Sequence, residues 1–226
     1  MEIDFKEHFE KYEALVATVD QIFARVKEEF PKEVFCREKC SDCCYAMFDL
    51  SIIEAIYLNH KFREKFKGAE KKALIDEAAK TDRAIVKLKR EAYKEFKSGK
   101  NEVDILGKMS MERVRCPLLG ANNMCILYES RPITCRLYGI PTSSSGLSHI
   151  CGRTNFKEGE KYPTVNMDVI YSKLQLISAE MTRALNSENI KMCEMLIPVS
   201  MAMVTDFDEE YLGVGKREEQ EKGVKT

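Results

Sequence analysis

The chain of 226 residues has no tryptophan, only three histidines and no excess of either charge. Its 36 Lys and Arg residues nearly balance its 37 Asp and Glu residues. Nucleic acids and anionic membrane surfaces both attract a basic excess, which this chain does not have. The composition therefore predicts neither a nucleic-acid partner nor a membrane partner.

The sequence also contains no long hydrophobic run. Its longest apolar stretch, 195–204, includes a Pro and a Ser and is far shorter than the ~18 residues of a spanning helix. The first residues, MEIDFKEHFEKYEALV, are charged and amphipathic, unlike a signal peptide. We expect a soluble cytoplasmic protein, a setting in which grouped cysteines usually serve metal binding or catalysis.

Nine cysteines are present, an odd number that amounts to about 4% of the chain, whereas disulfide scaffolds exceed ~8%. A chain of this length can also bury a sizeable core without covalent cross-links. The cysteines are therefore not expected to be a disulfide framework.

Apolar residues recur at helical spacing through most of the chain, as in the stripe from Phe9 to Phe30 that Pro31 ends. Further helices are predicted at 51–66, 69–96, 167–185 and 187–204, the last interrupted at Pro198. Ser51 and Glu54 form the pattern of a capping box. The fold class predicted is mainly α, a helical bundle with two cysteine-rich irregular segments, 31–50 and 99–165, assembled around a metal centre. Residues 1–205 form one domain, and 206–226 are expected to be a charged, flexible tail.

Eight of the nine cysteines fall into two groups. The first group has the short gaps that are typical of zinc and iron–sulfur sites, whereas the second is separated by eight, nine and fifteen residues. They could form two four-thiolate sites, or one such site plus spare thiols, and His149 could replace a thiolate. Cys193 lies in an apolar stretch, KMCEMLIP, and is expected to be a core residue. The predicted metal ligands are Cys36, Cys40, Cys43, Cys44, Cys116, Cys125, Cys135 and Cys151.

Two stretches resemble a known family: CREKCSDCC leading into AMFDLSIIEAIYL (36–58), and CPLLGANNMCILYESRPITCRLYGIP (116–141). They are similar to the CxxCxxCC-type cysteine-cluster family, whose name describes a zinc- or iron-chelating domain, over about residues 36–151. The resemblance implies a metal centre, either iron–sulfur or zinc. Some relatives joined to other regions are flagellin lysine methylases, which implies protein methylation with S-adenosylmethionine as one possibility. The gap after Cys36 has three residues where two are common in the family.

A four-thiolate centre with zinc or a four-iron cubane carries a net charge of about −2, which is costly to bury without donors or cations. Arg131 and Arg136 flank Cys135 and either donate to its sulfur or make ordinary surface ion pairs. Pro132 is expected to fix the turn before Cys135, and Tyr128 and Tyr138 to pack under the site.

Four functions are compatible with these residues. The many cysteines and few histidines favour an iron–sulfur cluster, 4Fe-4S above other types, with a redox or cluster-dependent role. The alternatives are a structural zinc-binding interaction protein with a protein partner, a metallochaperone, and a metal-dependent protein lysine methyltransferase. Radical S-adenosylmethionine chemistry is disfavoured, because the chain shows no βα alternation around Cys36, Cys40 and Cys43. No catalytic group beyond the metal is visible, so the sequence does not decide whether the protein is an enzyme.

Overall fold

The computed structural model of the protein describes residues 3–157 and 159–214. Helices make up 58% of it, which places the fold in the mainly helical class that the sequence predicts. Within the described ranges the helices are α1 (Lys6–Glu29), α2 (Ile52–Lys65), α3 (Gly68–Lys97), α4 (Glu102–Met111), α5 (Ile133–Leu137), α6 (Met167–Ala184), α7 (Val199–Val204) and α8 (Glu209–Leu212).

The helix α1 lies along the core and packs against α2, α5 and α6. Its predicted stripe faces inward, with Tyr12, Val19 and Val26 buried and the remaining members packed against the core. The stripe is therefore covered within the chain. The helix ends at Glu29, next to the proline that the sequence identified as its stop.

The helix α2 is the most deeply buried element, and every residue from Ile52 to Asn59 lies in the interior. It begins with the predicted capping box. The Ser51 N–H donates to Oε2 of Glu54 at 3.2 Å, and the Ser51 hydroxyl donates to the same oxygen at 3.0 Å. This box fixes the start of α2 a few residues after the first cysteine group.

The helices α3 and α4 form a hairpin at the edge of the molecule. The bounds of α3 match the prediction, but only Ala78 on its apolar stripe is fully buried and Phe96 is exposed. The following helix, α4, was not predicted. It begins at Asn101, whose side chain accepts from the Val103 N–H, and most of its apolar residues are exposed.

The helix predicted at 187–204 is split at its proline. A 3₁₀ turn (Ile190–Glu194), a strand β5 (Leu196–Pro198) and α7 follow one another. Proline has no N–H to donate inside a helix but is favoured at a helix start, so Pro198 caps α7 instead.

Five short strands occur within the described ranges, and none of them was predicted. The strand β1 (Asp49–Ser51) pairs with β5 antiparallel, in the register Leu50 to Ile197. The strand β2 (Thr142–Ser144) lies between β3 (Leu147–His149), antiparallel to it, and β4 (Val165–Asn166), parallel to it. The first pair ties the start of α2 to α7, and the second sheet connects the second cysteine region to α6.

The packed part of the chain extends past residue 205, which differs from the expected flexible tail. Asp206 pairs with Arg63, and α8 buries Leu212 completely. The remaining part of that predicted tail, 215–226, lies outside the described residues. No helix in the described part of the chain is long and apolar enough to cross a membrane.

Candidate metal centre

The two cysteine-rich segments meet through their backbones. The Cys116 N–H donates to the Cys44 carbonyl at 2.7 Å, and the Val114 N–H donates to the Tyr45 carbonyl at 3.1 Å. These bonds join positions about seventy residues apart in the sequence. Each group of cysteines is therefore presented to the other by a fixed main-chain contact.

All eight cysteines that the sequence predicted as ligands line one cavity of about 360 Å³. Cys151 is buried and the other seven are half-buried. The cavity also contacts Phe23, Phe48 and Ile85, so its wall combines thiols with apolar side chains from α1 and α3. Within the described residues, no three His, Cys, Asp or Glu side chains form a group that could hold a single metal ion.

The first cysteine group is shaped by two turns. Lys39 has a φ of 65°, and the Cys40 N–H donates to the Arg37 carbonyl at 3.0 Å, so the chain folds back between Cys36 and Cys40. A 3₁₀ turn from Asp42 to Tyr45 then carries Cys43 and Cys44. The three-residue gap after Cys36 is thus accommodated by one left-handed residue.

A tight hairpin brings the second group together. Leu119 and Cys125 form an isolated antiparallel bridge, and the Gly120 N–H donates to the Met124 carbonyl at 2.8 Å. Asn123, with a φ of 60°, occupies the left-handed position of this turn, a conformation that asparagine tolerates better than most residues. The hairpin places Cys125 beside Cys116.

Cys135 lies on the short helix α5, which was not predicted. Pro132, expected to fix the turn before Cys135, is the N-cap of this helix. The start of α5 is also held by α2, because Oε1 of the buried Glu54 accepts from the Ile133 N–H at 3.1 Å. One carboxylate therefore caps two helices. Sequence reasoning found the first role of Glu54 but missed the second, because no local pattern encodes a contact between residues 79 positions apart.

Cys151 follows β3 and contacts a carboxylate. Its Sγ donates to Oδ2 of Asp42 at 3.6 Å. The other carboxylate oxygen, Oδ1, accepts from Arg113 at 2.8 Å and from Arg153 at 3.3 Å. Asp42 was not among the predicted site residues.

Most of the cavity thiols are protonated at neutral pH. Burial raises the pKa of Cys36 and of Cys116 to about 12. Burial likewise raises the pKa of Cys125, Cys135 and Cys151. Since a metal ligand must be a thiolate, metal binding here must displace protons.

Cys43 is the exception. The pKa of Cys43 is lowered to about 7, because the Cys44 thiol donates to its sulfur and the Arg131 guanidinium lies nearby. The same hydrogen bond raises the pKa of Cys44. Of these two adjacent thiols, Cys43 is therefore the one that ionises more readily.

The two arginines around Cys135 have different roles. Arg136 is buried, pairs with Asp20 of α1 at 2.6 Å and donates to the carbonyls of Arg131 and Glu129. Its N–H groups therefore bind the backbone and α1, not the sulfur of Cys135. Arg131 lines the cavity and lies 4.0 Å from the ring centre of Tyr128, which is itself exposed. Of these two arginines, Arg131 is therefore the one whose charge lowers the pKa of the thiols.

Neither His149, the possible replacement ligand, nor Cys193, the predicted core residue, lines the cavity. His149 has an exposed side chain on β3 and does not contact the cavity. Cys193 is half-buried and not a core residue, and its Sγ donates to the Ile190 carbonyl at 3.2 Å. Its neighbour Met192 takes the core position, because the predicted helix is replaced there by a 3₁₀ turn.

Comparison with known proteins gives one match. Residues 35–152 match the CxxCxxCC family model, described as "Putative zinc- or iron-chelating domain". The match covers just over half of the chain and encloses all eight cysteines of the cavity. No curated protein and no solved structure matches the chain.

Proposed function

Because the chain belongs to the CxxCxxCC family of zinc- or iron-chelating domains, we propose that its cavity thiols hold iron–sulfur clusters of the 4Fe-4S type. The proposed ligands come from the eight cysteines, Cys36 to Cys151, that line the cavity. The two irregular segments then fold around the metal on one side of the helices. The proposed role is redox or cluster-dependent, in a compartment where thiols stay reduced.

The observation that carries this proposal is the shared cavity. Eight thiols from two distant segments line one cavity of about 360 Å³. A single zinc ion would leave most of that space empty, whereas an iron–sulfur cluster contains several metal and sulfide atoms. Soft thiolates with no histidine among the lining residues are the donor set that such clusters use.

The charge distribution supports the same proposal. Thiolates around a cluster leave negative charge in a partly apolar cavity, and Arg131 and Lys27 both line that cavity. Cluster potentials depend on net charge, burial and hydrogen bonds to sulfur. When bound, the cluster would supply one-electron transfer, and these two cations would stabilise its reduced, more negative state.

The test is the content of iron, zinc and acid-labile sulfide per chain, in protein purified without oxygen. We expect iron with matching sulfide, a brown colour that oxygen bleaches, and little zinc. Variants Cys116→Ser and Cys135→Ser should lose metal, whereas Cys193→Ser, outside the cavity, should keep all of it. Stoichiometric zinc without sulfide would overturn the iron–sulfur assignment and make the site a structural one.

A further inference from the structure

The eight thiols are not distributed evenly around the cavity. Cys43 and Cys44 lie on the 3₁₀ turn, which is bonded through the Cys44 carbonyl to the hairpin that carries Cys116 and Cys125, and Cys135 lies on α5. We call these five the inner group. Electrostatic effects on their pKa values come mainly from one another, for example from Cys43, Cys116 and Cys125 at Cys135.

The other three, Cys36, Cys40 and Cys151, form what we call the outer group. They lie at the ends of the cysteine region, before the 3₁₀ turn and after β3. Cys40 acts on the pKa of both Cys36 and Cys151, and Cys151 acts on that of Cys36. Among the inner thiols only Cys43 is a main influence on the pKa of Cys36, after Cys40 and Cys151, and none is a main influence on that of Cys151.

Asp42 completes the outer group geometrically. Its Oδ2 is the oxygen that contacts Cys151, while its Oδ1 is held by two arginines, Arg113 and Arg153. A carboxylate with one oxygen anchored and the other directed at a thiol has the arrangement of a metal ligand oriented by outer-shell partners. The carboxylate is also only 14% exposed, so it faces the cavity more than solvent.

We propose that the cavity holds two separate metal centres, an inner one with four ligands from the inner group and an outer one with Cys36, Cys40, Cys151 and the carboxylate of Asp42. This inference rests on the proposed function, since it assigns the ligands of that same cavity. The 3₁₀ turn supplies ligands to both metal centres: Asp42 binds the outer centre, and the Cys43–Cys44 pair faces the inner one. The three cysteines with x3 and x2 gaps therefore do not form one site.

The experiment measures iron and labile sulfide per chain after anaerobic reconstitution with ferrous iron and sulfide, for wild type and single variants. We expect Cys40→Ala and Cys151→Ala to retain about half of the wild-type iron and sulfide. Cys116→Ala and Cys135→Ala should instead lose the inner centre and retain the iron and sulfide of the outer centre. Their electron paramagnetic resonance spectrum should differ from that of the Cys40→Ala and Cys151→Ala variants. The control Cys193→Ser should retain all of it.

Asp42 is tested by two replacements. Asp42→Asn keeps the shape of the side chain but removes the anionic ligand. The iron and sulfide of the outer centre should therefore be lost or become removable by a chelator. Asp42→Cys supplies a thiolate instead, so it should retain full iron with a shifted resonance spectrum of the outer centre only. If Asp42→Asn retains full, chelator-resistant iron, or if Cys43→Ser empties the outer centre in its place, the carboxylate assignment is wrong.

The outcomes separate this inference from the proposed function. Wild-type protein without iron or sulfide would contradict the proposed function itself. Wild-type protein loaded with iron, in which outer and inner variants each lose everything, would show one undivided centre and overturn the inference alone. Variants of the outer group that retain all of the wild-type iron and sulfide would also overturn the inference alone.

Discussion

At residue 139 the backbone leaves no room for a side chain. A Cβ built on Gly139 would overlap Sγ of Cys36 and lie 3.6 Å from the ring of Phe23. We therefore expect Gly139→Ala to displace Cys36 from the cavity and to lower the free energy of unfolding of the metal-free protein by about 1–3 kcal/mol. Urea unfolding of metal-free protein measures this without any contribution from ligand loss.

Two further variants give this prediction its control. A Cβ on Gly107, in α4, meets nothing within 4 Å, so Gly107→Ala should be neutral or stabilise by up to ~1 kcal/mol. The double variant Gly139→Ala with Cys36→Ala removes the overlapping sulfur and should recover most of the lost stability. Equal losses in the single and double variants would mean that the cost arises elsewhere.

Arg131 and Arg136 differ in what they stabilise, although they are close in sequence. Arg136→Ala leaves the carbonyls of Arg131 and Glu129 without their donor and breaks the pair with Asp20, so we expect a loss of about 2–4 kcal/mol. Arg131→Ala removes a cation–π contact and one hydrogen bond at the surface, worth at most ~1 kcal/mol. Urea unfolding of both metal-free variants tests this order, and a reversed order would contradict it.

Between elements, Glu54 joins the start of α2 to the start of α5. Burial raises the pKa of Glu54 above its ordinary value of 4.5, although hydrogen bonds from Ile133, Ser51 and Tyr12 oppose the shift. The folded state therefore holds this proton more tightly than the unfolded state does. Its contribution to stability is fully present below pH 4.5 and decreases as pH rises through the raised pKa.

Glu54→Gln is the variant that tests this dependence, because it cannot titrate. We expect the free energy of unfolding of metal-free wild type, minus that of Glu54→Gln, to fall as pH rises from about 4.5 towards neutrality. Chemical unfolding at a series of pH values provides the measurement. A difference that rises with pH would mean that the charged carboxylate is the stabilised form.

Elements with a local signal could be predicted from the sequence, and elements that depend on distant partners could not. The stripe on α1 and the capping box of α2 are encoded within a few residues, so their positions agree with the structure. The strands β1 and β5 are three residues each and form only because residues 49–51 meet residues 196–198. The helix α4 was missed because its exposed apolar residues give no inward-facing stripe.

The same distinction applies to the site. Short gaps identified the first four cysteines, because that spacing reflects the chemistry, and the family resemblance identified the other four; all eight line the cavity. Asp42 lies between those cysteines, yet its contact with Cys151 spans 109 positions and leaves no local trace. The second role of Glu54 is hidden for the same reason.

At the scale of the whole molecule, the metal and the helical core stabilise different parts. The core cluster is formed mainly by apolar residues of α1, α2, α6 and α7, and Leu118, Leu127 and α5 join it from the second cysteine-rich segment. The cavity thiols themselves lie on turns and short elements with little regular structure. Without metal the thiols have no covalent link, since all nine cysteines are free. Metal binding should therefore stabilise mainly the two cysteine-rich segments.

We accordingly expect metal removal to cause local loosening and not global unfolding. In hydrogen exchange, anaerobically chelated protein should lose protection at 36–45 and 114–125, where the backbone bonds between the segments lie, while α2 and α6 stay protected. The free energy of unfolding should fall by about 4 kcal/mol if free metal had been near a thousandfold its dissociation constant. Loss of protection throughout α2 would show instead that the helical core depends on the metal. Unchanged protection in both cysteine-rich segments would show that these segments keep their structure without the metal.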